Sequence, residues 1–257
     1  MNAVQSLPGW VRFAAPVVVG VLMLGLWVLV VDVLDAAPRA LPSPFAIITE
    51  IGLRFGIITE DMAITATNAL LGLALGAVVA ILLAALAATF RPIDGMLAPL
   101  VAAIAVVPIV ALTPILNTMF GASSQFGRMS VAAIAAFVPV FVNVLRGLRQ
   151  TRPVHRDLLR ASAASPWQTF SVLTLPTALP YLLTGLRIAS SVAVIAALVA
   201  EYFGGPADGI GTAIATYAKS GRASLAFAYV AGGIAIGLAL FLVTGLLERL
   251  VTRRRPV

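Results

Sequence analysis

The sequence contains no cysteine, a single histidine (His155) and a single lysine (Lys219) among its 257 residues. Disulfides and thiol chemistry are therefore excluded, and a lone histidine does not make a His/Cys metal site. A phosphate-binding loop of the GxxxxGK[ST] type needs its lysine directly after a glycine, but Lys219 follows Ala218. The chain cannot bind ATP in that manner.

Charged residues are also scarce, at 11% of the chain, where soluble domains have about 25%. Hydrophobic residues make up 61%, and the mean hydropathy is +1.05. A helical membrane span needs about 20 mostly apolar residues, and long unbroken runs favour helices over the short alternating strands of a barrel. The sequence predicts one all-α membrane domain (1–257) with about six spans, at 13–31, 63–90, 96–120, 129–145, 181–203 and 225–247.

The basic residues predict the orientation, because cytoplasmic loops keep an excess of Lys and Arg. With the N-terminus inside, five basic residues fall outside (Arg39, Arg54, Arg128, Lys219 and Arg222). The other twelve fall inside, namely Arg12, Arg91, Arg146, Arg149, Arg152, Arg156, Arg160, Arg187, Arg249, Arg253, Arg254 and Arg255. Both termini are thus predicted to be cytoplasmic. The net charge of +7 reflects this topology and contact with anionic lipids rather than nucleic-acid binding.

The first apolar run is too long for the core of a signal peptide and lacks a small-residue cleavage site, so we expect a retained span. Residues 35–61 follow it as a predicted extracytoplasmic linker. Its Leu41-Pro42-Ser43-Pro44 opening should be extended, and the apolar spacing from Phe45 predicts a short amphipathic helix. That helix either closes over the outer mouth or floats in the interface. Residues 204–224 are predicted to be a second extracytoplasmic loop.

Two features of the spans concern packing and the transport path. Gly72 and Gly76, four residues apart, are typical of close helix packing in lipid. Prolines in the third span should kink it, which favours pore lining near Asn117. The predicted path residues are Pro108, Pro114, Asn117, Asn143, Ser190, Ser191 and Glu201. For the two serines, a hydroxyl bonded to its own helix is at least as good an explanation.

The predicted cytoplasmic loop, 146–180, has three parts. Residues 146–160 form a basic surface, 161–173 are expected to be a short amphipathic helix with Trp167 and Phe170 on one face, and 175–180 are expected to be a rigid proline corner. A loop of this kind suits a partner protein that moves it. An ordinary interfacial loop anchored by Trp167 explains the same residues equally well.

The motifs of the chain resemble those of a known family almost from end to end. They include Ser165-Pro166-Trp167-Gln168-Thr169-Phe170, Leu175-Pro176, Gly185-Leu186-Arg187, Val107-Pro108 through Thr113-Pro114, and Ala200-Glu201-Tyr202-Phe203-Gly204 before Gly209-Ile210-Gly211. The chain is similar to permease subunits of binding-protein-dependent ABC importers, whose cytoplasmic loop carries an "EAA" motif. Within that family it resembles the nitrate, sulfonate and taurine branch, which includes permeases for pyrimidine precursors and riboflavin.

This resemblance implies a type I (MetI-like) permease of the bacterial inner membrane and a coupling role for 157–170. Its predicted coupling residues are Asp157, Arg160, Ala163, Ser165, Pro166, Trp167, Gln168, Phe170, Leu175 and Pro176. ATP and Mg would be bound by two partner ATP-binding subunits, beside a second permease and an extracytoplasmic binding protein. The chain departs from the family pattern where Asp157 replaces the glutamate, where Leu158-Leu159 replace two alanines, and where Ala163 replaces the glycine.

Two other classes of protein fit the sequence less well. A secondary carrier would need an internal repeat and charged residues deep in the membrane, and neither is evident. A membrane enzyme would need a nucleophile and base, whereas His155 stands among arginines. We therefore expect a non-catalytic importer subunit. The absence of a fixed cation deep in the spans slightly favours a neutral or weakly charged substrate, although an oxyanion is also consistent with the resemblance.

Overall fold

A computed structural model describes residues 9–34, 41–121, 124–204 and 208–253. In these ranges the protein is helical. The helices are α1 (Gly9–Val28, continued by a π-helical turn at Leu29–Val33), α2 (Pro44–Leu53), α3 (Phe55–Thr89), α4 (Arg91–Val106), α5 (Ile109–Phe120), α6 (Gln125–Arg149), α7 (Pro153–Ala161), α8 (Pro166–Thr169), α9 (Leu175–Phe203), α10 (Ile210–Lys219) and α11 (Ala223–Arg253). The all-α fold predicted from the sequence is confirmed.

Five helical segments are long and apolar enough to cross a membrane, and a bent pair raises the number to six. The five are Ala14–Val33, Phe55–Thr89, Gln125–Arg149, Pro166–Phe203 and Ala223–Val251. The helices at the spans predicted over 63–90 and 181–203 therefore begin earlier than hydropathy predicted, at Phe55 and Pro166. They do so because polar turns at a membrane surface can extend a helix without adding to its apolar run.

The third span is not one helix. Helices α4 and α5 meet at an angle of 96°, and the break lies at Val107 and Pro108. Val107 is extended (ψ 124°), as expected for a residue that precedes proline. The helices continue through Pro99 and Pro114. The kink predicted within 96–120 is present, and it takes the form of one sharp break at Pro108.

The core of the bundle is formed by α3, α6 and α9, packed through small residues. A Cβ on Gly76 would overlap the carbonyl oxygen of Ala133, and one on Gly72 would lie 2.5 Å from the Cβ of Ala132. Gly147 of α6 lies against α9 in the same way. In lipid, helices gain little from apolar contact alone, so close backbone approach supplies the attraction. The packing role predicted for the two glycines of α3 is confirmed.

The other helices surround this core. Helix α11 packs along α9, and α10 lies between α9 and α11. The first span is exposed to its surroundings and contacts the bundle mainly near its end, where the Trp27 indole N–H donates to the Pro42 carbonyl (3.2 Å). Ser43 there caps α2 and donates to Asp32 (3.0 Å). Ser43 is extended, as predicted, whereas Pro44 already belongs to α2. Residues 55–61 of the predicted linker already belong to α3.

Two expectations for 161–180 were wrong. The predicted helix over 161–173 is interrupted, since α7 ends at Ala161 and α8 begins at Pro166. The predicted proline corner at 175–180 is helical. A π-helical turn at Phe170–Thr174 precedes it, in which the Leu175 N–H donates to the Phe170 carbonyl. The wider turn accommodates Pro176, whose ring would otherwise clash with the preceding turn.

A matched pair of glycine substitutions tests the packing of the core. Gly76→Ala should lower the stability of the purified protein by about 1–3 kcal/mol, the typical cost of overpacking, because the methyl meets the α6 backbone. Gly20→Ala is the control, since a Cβ there has no neighbour within 4 Å. Both changes should favour the helix equally. Thermal unfolding in detergent measures the difference, and equal melting temperatures would contradict the packing assignment.

Candidate functional site

The residues predicted for coupling form an exposed surface at the end of the bundle that holds Arg149. Pro153 stands at the first helical position of α7, where its missing N–H costs nothing. On that helix Asp157 and Arg160 lie 3.6 Å apart with side chains 68% and 80% exposed. An ion pair this exposed contributes little to stability. Both charges are therefore available to a partner.

Ala163 takes the backbone conformation that favours glycine. Its φ is +55°, and it is the only described non-glycine residue with positive φ. It follows the end of α7, where Ala164 N–H donates to the Leu159 carbonyl (2.9 Å) and closes the helix. Left-handed backbone costs an L-residue about 1–2 kcal/mol. The glycine usual at this position in the resembled family thus matches a real conformational demand of the turn.

Ser165 and Gln168 determine where α8 begins. The Gln168 N–H donates to the Ser165 hydroxyl (3.2 Å), and the Ser165 N–H donates to the Gln168 side-chain carbonyl (2.7 Å). This reciprocal arrangement is a capping box, and its signature, Ser-x-x-Gln with proline at the first helical position, is readable in the sequence. It explains why the chain restarts a helix at Pro166 and does not continue one from Ala161.

An exposed aromatic pair follows the cap. The rings of Trp167 and Phe170 lie 5.7 Å apart, and Trp167 is 72% exposed. Leu175 is also exposed, whereas Pro176 is half-buried. The segment thus presents charges on α7 and aromatic groups on α8 at the same end of the bundle. Aromatic and arginine side chains are the groups most enriched where proteins bind each other.

The opposite end of the bundle holds a buried carboxylate, Glu201 of α9. Its side chain is fully buried, and it accepts hydrogen bonds from the Thr65 hydroxyl (2.8 Å), the Asn68 amide (3.2 Å) and the Gly211 N–H (3.0 Å). A buried carboxylate is tolerated only when such donors replace water. Glu201 thereby joins α3, α9 and the start of α10.

Helix α10 is attached through three consecutive backbone N–H groups. Gly209 donates to Asp61 (3.1 Å), Ile210 donates to the Thr65 hydroxyl (3.0 Å), and Gly211 donates to Glu201. These N–H groups at a helix N-terminus have no partners within the helix. We call this set of three hydrogen bonds the α10 docking contact. Gly209 has φ +99°, a conformation that directs the chain into the contact and favours glycine.

Arg128 belongs to the same region, and sequence reasoning missed it. It was assigned to an outer loop, but it lies in the first turn of α6 and is fully buried. Its Nη1 donates to the Asp208 carbonyl (2.9 Å) and to Gln125 (3.4 Å), while Nε and Nη2 have no partner among the described residues. No sequence signal distinguishes this arginine from an exposed one, because its burial depends on the packing of α10.

The predicted path residues occupy several different surroundings. Asn117 is buried between Gly127 and Gly204, and its amide has no hydrogen-bond partner in the described part of the chain. Asn143 is half-buried and donates to the Pro139 carbonyl of its own helix. Pro108 and Pro114 are exposed on the bent pair. Asn117 and Glu201 lie at the same end of the bundle, close to Gly204, and the structure does not bring the whole set together.

The two predicted serines differ. Ser190 is fully buried, donates to the Arg187 carbonyl (2.7 Å) and lies 3.3 Å from the Thr244 hydroxyl. Ser191 lines an apolar groove of about 490 Å³ between α9, α10 and α11. Another apolar groove, of about 390 Å³, lies between α3, α4 and α6 and contains none of the predicted path residues.

A polar seam joins α9 to α11. Glu248 accepts from the Thr184 hydroxyl (2.6 Å) and from Arg187 (3.2 Å), and the Arg187 guanidinium lies over the Phe241 ring at 4.2 Å. Arg187 therefore has an acidic partner on the neighbouring helix. Together with Ser190 and Thr244, these contacts hold the two helices side by side.

Comparison with known proteins identifies the class. Residues 72–256 match the family model of binding-protein-dependent transport system inner membrane components. The formylaminopyrimidine transport permease ThiX of Halalkalibacterium halodurans is 35% identical over 65% of this chain and 67% of its own. The riboflavin transport system permease RibX of Chloroflexus aurantiacus is 32% identical over 65% and 61%, and the putative aliphatic sulfonates permease SsuC of Bacillus subtilis is 25% identical over 95% and 86%.

These matches and the apolar helices define a multi-pass membrane permease subunit of an ABC importer, which is not itself catalytic. The chain belongs to the family of binding-protein-dependent transport system inner membrane components. Within that family it falls in the nitrate, sulfonate and taurine branch. The class expected from the sequence is confirmed.

Substitution of Glu201 tests the buried network. In Glu201→Gln, the new NH2 group must face Asn68, Thr65 or Gly211, each of which already donates to the carboxylate. Leaving one such buried donor unpaired costs about 1–3 kcal/mol. Glu60→Gln is the matched control, since Glu60 is exposed on α3. Thermal unfolding in detergent should show a lower melting temperature for Glu201→Gln only. A similar small effect of both substitutions would argue against the network.

Proposed function

We propose that this subunit forms the translocation path of an ATP-driven importer and couples to separate ATP-binding subunits through 146–180. ATP and Mg bind to those two subunits, beside a second, identical or homologous permease and an extracytoplasmic binding protein. The path opens alternately to the two sides, which is a population shift between two packings of the bundle. In this proposal the subunit contacts anionic membrane lipids and does not bind nucleic acid.

The distribution of charge supports an orientation with both termini in the cytoplasm. The exposed arginines of 146–160 stand at one end of the bundle, as cytoplasmic arginines do. Asp61, Glu201 and Asp208 stand at the other end, which is then the outer one. In this orientation α2 and α10 lie on the extracytoplasmic side, and α7 and α8 lie where ATP-binding subunits can reach them.

The observation that carries the coupling proposal is the continuity of one helical segment. Residues Pro166–Phe203 form a single segment of 38 residues that begins at the exposed cap of Ser165 and reaches the buried carboxylate of Glu201. A helix transmits displacement along its axis because its backbone hydrogen bonds resist stretching. Movement of residues 166–170, at the start of this segment, would therefore be felt at the outer end of the bundle without passing through a loop.

The translocation path is proposed to run beside α5, α6 and α9. Asn117, Asn143, Ser190, Ser191, Glu201, Pro108 and Pro114 remain the predicted path residues, and the bend between α4 and α5 supports a place for the two prolines near a gate. A second permease would complete the wall. In this conformation Glu201 acts as an acceptor inside the protein, so its contribution to the path would depend on the α10 docking contact opening.

The substrate is proposed to be a small organic solute or an oxyanion. Three relatives are named for formylaminopyrimidine, riboflavin and aliphatic sulfonates, so the branch carries chemically different cargo. Importers of this kind leave much of the recognition to a binding protein. Ligand binding by that soluble partner is the measurement that would identify the cargo.

Substitutions in the turn after α7 test the coupling role. Ala163→Val should weaken copurification of the ATP-binding subunits and lower ATP hydrolysis by the complex, because a β-branched side chain is strained at positive φ. Ala164→Val is the matched control, one residue away and without positive φ. Ala163→Gly should preserve both readouts.

If Ala163→Val and Asp157→Arg both assemble with the ATP-binding subunits and hydrolyse ATP at the rate of the unchanged complex, the docking assignment fails. If no ATP-binding subunit copurifies with the unchanged chain, the alternative of a carrier or channel not coupled to ATP is favoured. The measurements are a pull-down from detergent extracts and a phosphate-release assay.

A further inference from the structure

Two opposite charges are buried at the outer end of the bundle without forming an ion pair. Glu201 is held by neutral donors from α3 and α10. Arg128 joins the same network through the Gln125 side-chain oxygen, which accepts from both Asn68 (2.8 Å) and Arg128 (3.4 Å). No salt bridge joins them in the ranges the structure describes. A buried charge that lacks its opposite partner is costly.

The unused part of Arg128 is the edge that carboxylates prefer. Nη1 is engaged with the Asp208 carbonyl, whereas Nε and Nη2 have no acceptor among the described residues. The Nε–Nη2 edge is one that can give a carboxylate two parallel hydrogen bonds. Arg128 therefore bonds the Asp208 carbonyl before α10 with one nitrogen, and the described residues supply no acceptor for its Nε–Nη2 edge.

The contacts of Glu201 also depend on the position of α3 against α9 and α10. Oε2 accepts both the Thr65 hydroxyl and the Gly211 N–H, and the Thr65 hydroxyl in turn accepts the Ile210 N–H. Glu201 belongs to α9, and Gly211 packs closely against that helix. If α9 and α10 leave α3 together, the carboxylate keeps the Gly211 N–H and loses its donors on α3, Thr65 and Asn68.

We propose that Glu201 is a positioning residue that exchanges partners during transport. In the conformation described here it holds α10 against α3 through the docking contact and keeps the outer end closed. When α9 is displaced by the ATP-binding subunits, the carboxylate releases Thr65 and Asn68 of α3 and binds the Nε–Nη2 edge of Arg128, and α10 separates from α3 together with α9. This inference rests on the proposed function and adds to it a named outer gate.

The polar seam predicts which contacts remain unchanged. Thr184, Arg187 and Ser190 of α9 are bonded to Glu248 and Thr244 of α11. Helices α9 and α11 should therefore move together, while α9 and α3 change their relation at the Glu201 end. A cross-link between α9 and α11 should therefore form equally in both states, and it serves as the control for a cross-link across the α10 docking contact.

Engineered cysteines can test the exchange, since the chain has no native cysteine. The Gly209 nitrogen lies 3.1 Å from the Asp61 carboxylate, which brings the adjacent residue 208 within reach of position 61. Asp61→Cys with Asp208→Cys spans the docking contact. Ser190→Cys with Thr244→Cys is the control pair in the seam, where the two hydroxyls are 3.3 Å apart. Each single-cysteine variant controls for the loss of its own side chain.

The complex with its ATP-binding subunits is oxidised briefly, once without nucleotide and once with ATP and orthovanadate, after loss of ATP hydrolysis confirms trapping. Cross-link yield is read from protection against a maleimide label. The docking pair should cross-link several-fold less in the trapped complex, whereas the seam pair should be unchanged. Reduction of a preformed docking cross-link should restore ATP-dependent opening.

Three results would overturn the inference. Failure of the docking pair to cross-link without nucleotide contradicts the geometry, and equal yields in both states show that the contact is purely structural. Arg128→Lys keeps the charge but lacks the two-pronged edge, so it should reduce the fall in yield caused by trapping while leaving the nucleotide-free yield unchanged. If trapping lowers the cross-link yield of the Arg128→Lys variant as much as that of the unchanged chain, the exchange with Arg128 is ruled out. Absence of any ATP hydrolysis by the unmodified complex refutes the proposed function itself, which separates the two failures.

Discussion

The structure depends on how closely the backbones of α3, α6 and α9 approach. Lipid removes most of the advantage that apolar side chains gain from contact in water, so the three helices associate where small residues allow their backbones to meet. Gly72 and Gly76 place α3 against α6, and Gly147 and Gly185 place α6 against α9. The hydrogen bonds between Glu201 of α9 and Thr65 and Asn68 of α3 require this spacing, because a hydrogen bond forms only over a narrow range of distance.

Polar groups then determine which ends of the helices are joined. At one end, Glu201 gathers donors from α3 and α10, and at the other, Arg149 pairs with Asp94 (2.8 Å) and donates to the Ala87 carbonyl (3.2 Å). The middle of the bundle has few such contacts. A helix bundle joined strongly at its ends and by small residues between them can exchange one set of end contacts while its central packing is kept.

The sequence-based expectations succeeded and failed for identifiable reasons. Apolar length predicted the spans, and the glycine pair of α3 predicted a packing surface. The prolines were less informative, because proline is compatible with a helix start, a wide turn or a break. Pro108 breaks the helix, Pro176 follows a π-helical turn, and Pro114 lies within α5. The capping box of Ser165 and Gln168 was readable from the sequence and would have located the start of α8.

Composition and pattern alone determined that this chain is helical and embedded in a membrane, because both properties follow from the transfer of short local segments into lipid. Its motifs likewise indicated the permease family. Only the tertiary structure decided that Glu201 is enclosed and that Arg128 is buried. The reason is that the hydrogen-bond partners of these two buried side chains are supplied by residues far away in the sequence. Thr65 and Glu201, whose side chains lie 2.8 Å apart, are separated by 136 positions in the sequence.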